Sequence, residues 1–409
     1  MVNKPLAELA KYRYNSKENR MFAGKALAGF SQNDNEDMID KKIKILHVIW
    51  DDDFGGAEKH VLDLVTHLNR SEFDCELCIL HEDKDRIAKS VREAGITIHH
   101  LNLRSGFDIR GVIRFIRFAR RQKYDIIHCH IYPLWIQIAI RLFTRSVSLI
   151  TLHGRDIVDQ PTKRSVLTNR ISRKATHAYI APSMINKKAN MELYGLRAER
   201  VFVVYHGIDL SEFHPATAKE RADKRKELGI PDGCCAIGTI GRLAEQKNYP
   251  CFIKASVEIH SVRSNSIFLI VGVGEKEGEI KELIKANGAE KYIKLLGRRT
   301  DIPQFLGALD MFMFTSWMES FGIVVAEAMA TGLPVVSSNT SSLPEIVGDA
   351  GILVSPDNAN GFAKEGILLM DDEKRRRDFG ERAKVRAVSL FAVDKMISDT
   401  ARIYKTLLK

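Results

Sequence analysis

The sequence predicts an α/β protein built from two doubly wound parallel sheets in tandem. Short runs rich in β-branched residues alternate with helical stretches from about residue 43 onward, which is typical of βαβ units. The alternation restarts after about residue 230, which indicates a second sheet. A chain of 409 residues is long enough for two domains of ordinary size.

The expected strands fall into two groups. The first comprises Lys42–Trp50, Cys75–Leu80, Asp125–His130, Val147–Leu152 and Ala178–Ala181, with helices at Ala57–Leu68 and Ile109–Gln122. The second comprises Ala236–Ile240, Ile267–Val271, Ile293–Leu296, Met311–Phe314, Pro334–Ser337 and Gly351–Val354. Because loops and helix N-termini converge at the carboxyl ends of parallel strands, a ligand cleft is expected between these ends of the two sheets.

Domain boundaries follow from the two groups. Residues 1–41 are polar, mixed in charge and without clear periodicity, and are expected to form an N-terminal extension. Residues 42–208 would form the first domain and residues 209–388 the second, with the connection near Gly207–Pro215. Residues 389–409 are expected to form a C-terminal helix.

Composition and charge narrow the class of protein. No apolar run reaches the roughly 18 residues of a membrane-spanning helix and no secretory pattern opens the chain, so a cytoplasmic protein is expected.

The cysteines are expected to be reduced thiols, because Cys75 and Cys78 would point to opposite faces of a strand. Residues 41–208 carry 28 basic and 18 acidic residues, and so contain the whole net charge of +10. This favours an anionic membrane surface or lipid diphosphate as a partner, and no motif supports nucleic acid.

The densest group of candidate functional residues is Phe314–Ser338. A polar turn with Glu319 follows a predicted strand, and Glu327 lies inside the helix Ile323–Ala330. A carboxylate among small and apolar residues is costly to bury unless it accepts strong hydrogen bonds, which vicinal sugar hydroxyls donate. The backbone amides that open this helix could bind a phosphate. They belong to Phe321, Gly322 and Ile323. Taken singly, Glu319 is better explained as a capping or loop carboxylate and Glu327 as a solvated helix residue.

A second group follows the strand Ala236–Ile240. A glycine turn at Gly241 precedes Arg242 and Lys247, which places two cations at the carboxyl end of the strand. Arginine binds a diphosphate in bidentate fashion and lysine adds a point charge. Such cations stabilise a leaving nucleoside diphosphate more in the transition state than in the ground state. An ordinary basic loop is the alternative for this segment alone.

Three features of the first domain lie at the same predicted edge. Gly55 and Gly56 follow the first strand and open a helix, where glycine lets backbone amides approach a phosphate closely. His153 ends the strand Val147–Leu152 and would place an imidazole at the rim of the cleft, although lone histidines are more often structural. His128 and His130 alternate across a strand end and are expected to be poorly placed for joint metal binding.

The predicted helix Ile109–Gln122 is amphipathic. At about 100° per residue its basic side chains fall within about 60° of arc. They belong to Arg110, Arg114, Arg117 and Arg121. The expected opposite face comprises Val112, Ile113, Phe115, Ile116 and Ala119. The basic face could contact an anionic membrane or acceptor, and a helix that covers the sheet with solvated arginines is the alternative.

Together these motifs resemble those of the family-4 retaining glycosyltransferases of the GT-B fold. The E-x7-E spacing of Glu319 and Glu327 carries the resemblance, which extends from about Lys42 to the C-terminus. The other matching motifs are G-G-A-E (Gly55–Glu58), Y-D-I-I-H-C-H (Tyr124–His130), T-L-H-G (Thr151–Gly154), V-V-Y-H-G-I-D (Val203–Asp209), G-R-L-x-x-x-K (Gly241–Lys247) and E-A-M-A-T-G-L-P-V-V (Glu327–Val336). Two positions depart from the pattern, because Ser320 replaces the usual glycine and His206 the usual asparagine.

The resemblance implies a fold and a set of site residues. Two Rossmann-like, doubly wound parallel-sheet domains would face each other across a cleft, with the C-terminal helix crossing back onto the first domain. Glu327 would bind the donor ribose hydroxyls and Glu319 the hydroxyls of the transferred sugar, while His153 would lie beside donor sugar and acceptor. The diphosphate and base would contact Arg242, Lys247, the main chain near Arg298, and backbone amides at Gly56 and Phe321–Ile323.

The resemblance also implies the reaction. A hexosyl unit would pass from a UDP- or GDP-sugar to a lipid-linked or polysaccharide acceptor in cell-envelope glycan synthesis. The anomeric configuration would be retained, with no metal ion or other cofactor. The enzyme would work in the cytoplasm or at the inner face of the plasma membrane. A sugar-nucleotide epimerase of the same fold and a non-catalytic nucleotide-sugar-binding subunit are the alternatives.

Overall fold

Two parallel sheets follow one another along the chain. The computed structural model describes residues 42–51, 56–81, 88–104, 108–130, 134–153, 166–167, 170–171 and 173–409. The expected N-terminal extension and Gly55 therefore lie outside the described residues.

The first sheet has the strand order β3-β2-β1-β4-β5-β6-β7. Its strands are β1 (Ile43–Ile49), β2 (Phe73–Ile79), β3 (Ile98–His100), β4 (Ile126–Cys129), β5 (Val147–Thr151), β6 (Ala178–Ala181) and β7 (Val201–Val203). The described helices between them are α1 (Gly56–His67), α2 (Ala88–Glu93), α3 (Ile109–Gln122), α4 (Leu134–Phe143) and α5 (Met184–Tyr194), with a 3-10 turn at Ala198–Arg200. The strand order reverses between β1 and β4, so a crevice forms at their carboxyl ends. This sheet and its helices are the first lobe.

The second sheet has the strand order β10-β9-β8-β11-β12-β13, and its order reverses between β8 and β11. Its strands are β8 (Cys235–Ile240), β9 (Ser266–Val271), β10 (Ile293–Leu295), β11 (Met311–Phe314), β12 (Val335–Ser338) and β13 (Ile352–Val354). The helices are α6 (Ala218–Glu227), α7 (Tyr249–Val262), α8 (Glu277–Ala286), α9 (Ile302–Ala308), α10 (Ile323–Ala330), α11 (Leu343–Val347), α12 (Ala359–Asp371) and α13 (Glu373–Phe391), with a 3-10 turn at Glu245–Lys247. These elements are the second lobe. The prediction of two doubly wound parallel sheets is confirmed, and the two short strands β3 and β7 were not predicted.

The chain passes between the lobes at two adjacent places. The Ile208 amide donates to the Phe391 carbonyl at 2.7 Å, and the Val393 amide donates to the Ile208 carbonyl at 3.0 Å. After the second passage, helix α14 (Val393–Leu407) packs against the core of the first lobe. Its buried residues include Met396, Ile403 and Tyr404, which share a cluster with Ile45, Leu64 and Phe73. The domain boundaries at residues 208 and 388 stay predictions.

One buried carboxylate joins the lobes. Glu345, on α11, is 5% exposed and accepts hydrogen bonds from the backbone amides of Met184 at 2.9 Å and Ile185 at 3.3 Å. It also accepts a bond from the Tyr205 hydroxyl at 2.9 Å. Because Met184 opens α5, a carboxylate of the second lobe binds the helix N-terminus of the first. Burial raises the pKa of Glu345, and the two amide bonds and the hydroxyl bond oppose that rise.

The cysteines of β2 confirm the prediction made for them. Cys75 packs in the cluster that contains Ile45, whereas Cys78 packs in the cluster that contains Leu46, so the two thiols lie on opposite faces of the sheet. All six cysteines of the chain are free thiols.

Candidate active site

The turn between β11 and α10 carries the two predicted carboxylates. Gly322 has a φ of +89°, and a Cβ at this position would lie 2.8 Å from the Leu343 side chain, so the turn requires glycine. The Val325 amide donates to the Gly322 carbonyl at 2.9 Å. The amides that precede it at the start of a helix have no acceptor within the helix and can bind an anion. Glu319 precedes the turn, and Glu327 follows it on α10 with only 6% exposure. The alternative of a solvated Glu327 is therefore wrong.

Glu327 is paired across the cleft. Its Oε1 lies 3.4 Å from Nζ of Lys59, which belongs to α1 of the first lobe. The Lys59 ammonium also lies 4.7 Å from the centre of the Phe213 ring. Burial raises the pKa of Glu327 to about 7, and the charge of Lys59 opposes that rise. Removing a carboxylate from water is costly, so this group is available to accept hydrogen bonds from a ligand that replaces the lost water.

Glu319 is paired within the second lobe. Nζ of Lys247 lies 2.5 Å from Oε1 of Glu319, and the two side chains are 14% and 13% exposed. The lysine chain runs so close to Gly241 that a Cβ there would approach its Cε to 3.2 Å. The Trp317 amide donates to the Gln246 carbonyl at 2.7 Å, which joins the loop after β8 to the loop after β11. The structure therefore brings together a cation and a carboxylate that lie 72 residues apart in sequence.

The two predicted arginines are placed differently. Arg242 forms an ion pair with Glu275 at 3.1 Å, and its side chain is 70% exposed. Arg298 is exposed and follows Gly297 at the end of β10. The structure thus places Lys247, but not Arg242, against Glu319. The predicted roles of both arginines stay predictions.

Gly56 brings the first lobe up to α10. This residue opens α1, and a Cβ on it would lie 3.9 Å from Cγ2 of Ile323, the first residue of α10. The N-termini of two helices from different lobes therefore meet across the cleft. Positive ends of two helix dipoles at one place favour an anionic ligand such as a diphosphate.

Six histidines lie together beside this cleft. Neighbouring ring centres are 4.2–5.7 Å apart. They are His47, His60, His128, His130, His153 and His206. Burial is the first cause that lowers the pKa of each imidazole, to about 3 for His153 and about 4 for His206. The cluster is therefore neutral at physiological pH. His206 also contacts the Phe321 ring at 5.2 Å, so the cluster reaches the turn that opens α10.

The predicted alternation of His128 and His130 across the strand end is wrong. Residues two apart on a strand point to the same face, and the two ring centres are 4.2 Å apart. His47 pairs in register with His128 on the neighbouring strand β1, and ligand atoms of the three histidines all lie within 4.8 Å of one another. Nδ1 of His128 lies 2.6 Å from the Tyr404 hydroxyl, and its Nε2 lies 2.7 Å from the Thr151 hydroxyl.

The basic helix α3 differs from its prediction at one apolar position. Gly111, Phe115 and Ala119 form its buried face, and all four predicted arginines are exposed. Ile113 is 41% exposed, not buried, because it lies only about 60° around the helix from Arg110. Ile109 is 59% exposed as well, so this face combines cations with apolar side chains. In the described part of the chain, no helix has the length and apolar character needed to cross a bilayer.

Several site residues were not predicted. Lys59 lies one turn into α1, and the sequence had already predicted that the start of this helix lines the cleft. Its position in that helix could therefore have predicted it as a site residue. His47 could have been found from strand order, since β1 and β4 are neighbours at the reversal point of a doubly wound sheet. Tyr404 and Glu345 carry no local signal, because their partners lie 276 and 161 residues away in sequence.

Comparison with known proteins agrees with this geometry. Residues 54–212 match the family described as Glycosyltransferase Family 4, and residues 220–386 match the family described as Glycosyl transferases group 1. The N-acetyl-alpha-D-glucosaminyl L-malate synthase of Bacillus anthracis is 25% identical over 317 residues, which cover 74% of this chain and 80% of that protein. The Escherichia coli UDP-Gal:alpha-D-GlcNAc-diphosphoundecaprenol alpha-1,3-galactosyltransferase is 28% identical over 345 residues, or 81% and 89% of the two chains.

A solved structure shares the fold. The Anabaena protein HepE, in complex with UDP and glucose, superposes with a TM-score of 0.78 at 22% identity, covering 89% of this chain and 100% of that chain. Neither relative named above is an epimerase. The two family matches and the two doubly wound sheets lead to one conclusion: the chain belongs to the family-4 glycosyltransferases of the GT-B fold.

Proposed function

We propose that this protein transfers a hexosyl unit from a UDP- or GDP-sugar to a hydroxyl of a lipid-linked or glycan acceptor in cell-envelope glycan synthesis. One observation carries the donor part: two carboxylates flank the N-terminus of α10, and each is paired with a lysine. The Anabaena structure, solved with UDP and glucose, supports a UDP-sugar donor. The E. coli relative, whose name specifies a diphosphoundecaprenol-linked acceptor, supports a lipid-linked acceptor.

The donor would bind along α10. Glu327 is buried, and its carboxylate would accept hydrogen bonds from the two ribose hydroxyls in place of water. Glu319 would bind hydroxyls of the transferred sugar, which frees Lys247 to contact the diphosphate. The amides at Phe321–Ile323 and at Gly56 would bind phosphate oxygens. Arg242 would leave its exposed pair with Glu275 to join them, and the main chain near Arg298 would contact the base.

The reaction would proceed with retention. As the bond between the anomeric carbon and the leaving phosphate oxygen breaks, the acceptor oxygen would form its bond on the same face of the sugar. That phosphate oxygen would take the acceptor's proton, so no protein base is needed. Lys247 and the backbone amides would stabilise the charge that grows on the departing nucleoside diphosphate, the task a metal ion performs elsewhere. We therefore propose a metal-independent enzyme with no other cofactor.

A donor panel tests this proposal. Release of nucleoside diphosphate is measured for UDP-, GDP- and ADP-sugars, with and without extracted lipid-linked acceptors and with EDTA present. Glu327→Ala should lower kcat/KM for the preferred donor at least about 100-fold, because a buried, charge-bearing ligand contact is lost. Glu282→Ala removes an exposed carboxylate on α8 and should leave the rate unchanged. Wild-type activity in Glu327→Ala, or no release from any donor, would disprove the proposal.

We further propose that the basic face of α3 holds the enzyme at the inner face of the plasma membrane. Arg117 and Arg121 are exposed there beside Ile113, and cations near an anionic bilayer contribute about 1 kcal/mol each. In flotation with vesicles of phosphatidylglycerol and phosphatidylcholine, the double change Arg117→Glu and Arg121→Glu should abolish binding. Lys285→Glu with Lys291→Glu makes the same charge change on the second lobe and should not. Equal binding to purely neutral vesicles would contradict the electrostatic contact.

A further inference from the structure

Three of the clustered histidines form a chain of hydrogen bonds that ends at His153. Nδ1 of His47 lies 3.1 Å from Nε2 of His130, and Nδ1 of His130 lies 3.2 Å from Nε2 of His153. His47 is fully buried and His130 is 6% exposed. The rings belong to neighbouring strands of the first sheet or to the residues that follow them, and these contacts constrain their orientations.

The chain couples the tautomers of its three members. A neutral imidazole carries one N–H and one lone pair, so each bond needs a donor nitrogen on one ring and an acceptor nitrogen on the next. If His130 carries its proton on Nδ1, it donates to His153 and accepts from His47, and all three rings are then Nδ1–H. If it carries the proton on Nε2, all three rings are Nε2–H. The tautomer of His153 therefore depends on His47 as well, although the hydrogen bonds connect His153 to His47 only by way of His130.

The two ends of the chain select between the two arrangements. Nε2 of His47 is buried and has no hydrogen-bond partner among the described residues. Each arrangement leaves one buried donor without an acceptor: Nε2 of His47 in the Nε2–H arrangement, and Nδ1 of His153 in the Nδ1–H arrangement. His47 is fully buried in the core, whereas His153 lies beside the cleft, so only the second donor can gain an acceptor from a bound ligand. A ligand that accepts a hydrogen bond therefore favours the Nδ1–H arrangement, which leaves a donor at Nδ1 of His153.

This donor lies where the cleft is. Nδ1 of His153 has no hydrogen-bond partner among the described residues. The His153 ring stacks on His206 at 5.7 Å, and His206 contacts Phe321 at the start of α10 at 5.2 Å. Only one ring therefore separates His153 from the turn that the proposed function assigns to the diphosphate and the transferred sugar. Sugar hydroxyls and phosphate oxygens both accept hydrogen bonds from such a donor.

A metal ion held by His47, His128 and His130 is a weaker explanation of the cluster. Both nitrogens of His128 already face hydroxyl groups, those of Tyr404 and Thr151. Nδ1 of His47 and Nε2 of His130 already face each other at 3.1 Å in the chain of hydrogen bonds. Binding a metal through His128 would therefore break one of its two hydrogen bonds.

We propose that His130, supported by His47, is a positioning residue that holds His153 as the Nδ1–H tautomer, so that His153 donates a hydrogen bond to an oxygen of the bound donor or acceptor. The identity of the substrate oxygen that accepts this hydrogen bond rests on the proposed function. The tautomer of His153 does not depend on that identity. It assigns His130 a task that requires no contact with substrate. Asparagine at position 130 can perform that task, because its amide nitrogen occupies the place of Nδ1, whereas leucine cannot.

Two measurements test the proposal. Two-bond ¹⁵N–¹H correlation spectra of the ¹⁵N-histidine-labelled full chain report which nitrogen of His153 carries the proton, with His153→Asn for assignment. Wild type and His130→Asn should show Nδ1–H, and His130→Leu should show a mixture or the other tautomer. In turnover, His130→Leu should lower kcat about 30-fold and His130→Asn by less than about threefold, with UDP affinity unchanged in both.

The outcomes separate this proposal from the function beneath it. An Nε2–H signal for His153 in the wild type overturns the proposal. This measurement uses the wild type alone, so it does not depend on whether a variant folds. Equal losses of kcat in His130→Leu and His130→Asn also overturn it, because the role would then be packing alone. If the wild type transfers no sugar but His153 is Nδ1–H in wild type and not in His130→Leu, the proposed function fails and the positioning role of His130 stands.

Discussion

The two lobes present different chemistry to the same cleft. The second lobe offers charges in pairs, with Lys247 beside Glu319 and Glu327 facing a lysine of the other lobe. Apart from Lys59, the first lobe offers neutral imidazoles that are buried and bonded to one another. Buried charge needs a counter-charge and a buried neutral group needs a hydrogen bond, so each lobe meets a different physical requirement. The second lobe should therefore respond to loss of charge, and the first to loss of single hydrogen bonds.

The largest expected effect is loss of the charge on Lys247. Lys247→Met keeps the length and the packing against Gly241 but removes the ammonium from a site only 14% exposed. Such a preorganised charge stabilises the departing diphosphate strongly, and we expect kcat to fall about 1000-fold. Steady-state rates with the preferred donor measure this, and thermal unfolding checks that the fold is intact.

Arg242 is the matched control within the same loop. Its side chain is 70% exposed and solvent screens it, so Arg242→Met should lower kcat only about tenfold. Equal losses of kcat in Lys247→Met and Arg242→Met would show that burial in the free protein does not determine how much each cation contributes to catalysis. They would also mean that the exposed arginine moves fully into the site when donor binds.

A smaller effect is expected from pH. Burial raises the pKa of Glu327 to about 7 in the free protein, and hydrogen bonds from ribose hydroxyls would lower it in the complex. Below pH 7 the carboxyl must lose a proton before donor binds, so affinity should fall by up to about tenfold per pH unit and level off above pH 7. Calorimetry with UDP between pH 6 and pH 8 measures this dependence.

Glu327→Gln supplies the reference for that titration. The amide cannot ionise, so whatever pH dependence it retains belongs to the phosphate of the nucleotide or to another titrating group such as Asp63, whose pKa burial raises to about 6. The clustered histidines should add nothing in this range, since burial lowers the pKa of His153 to about 3 and of His206 to about 4. If the affinity for UDP depended on pH identically in wild type and Glu327→Gln, ionisation of Glu327 would not contribute to that pH dependence.

The sequence predicted the second lobe better than the first, for a physical reason. Glu319, Lys247 and Gly322 each follow a strand, and the carboxyl ends of parallel strands meet at one edge of the sheet. A single charge or glycine in such a turn is ordinary, but three of them at one edge give a signal. The order of parallel strands alone predicts that these residues lie close together, without knowledge of side-chain packing. Both doubly wound sheets followed from periodicity alone.

The imidazole cluster could not be predicted in the same way. Its members come from β1, α1, β4, the end of β5 and the segment between the lobes, and a single histidine is more often structural. The predicted alternation of His128 and His130 was wrong because the hydrogen bonding of the sheet continues for one residue beyond the end of β4 at Cys129, which keeps both side chains on one face. The contact with Tyr404 depends on the packing of α14, which no local pattern encodes. Tertiary packing, and not residue type, creates the site here.

The smallest expected effect tests whether the first lobe depends on single hydrogen bonds. Tyr404→Phe removes the hydroxyl that lies 2.6 Å from Nδ1 of His128 and leaves that nitrogen buried without its partner. The free energy of opening α14 should fall by about 1 kcal/mol, the ordinary cost of one such bond. Hydrogen exchange of the α14 amides measures it, and Tyr292→Phe on the second lobe is the control. Loss of protection confined to α14 and its neighbours on β1 and β4 agrees with a local neutral network. If protection fell equally across both lobes, the hydroxyl would be supporting the contact between the lobes, and the division into a charged and a neutral half would fail.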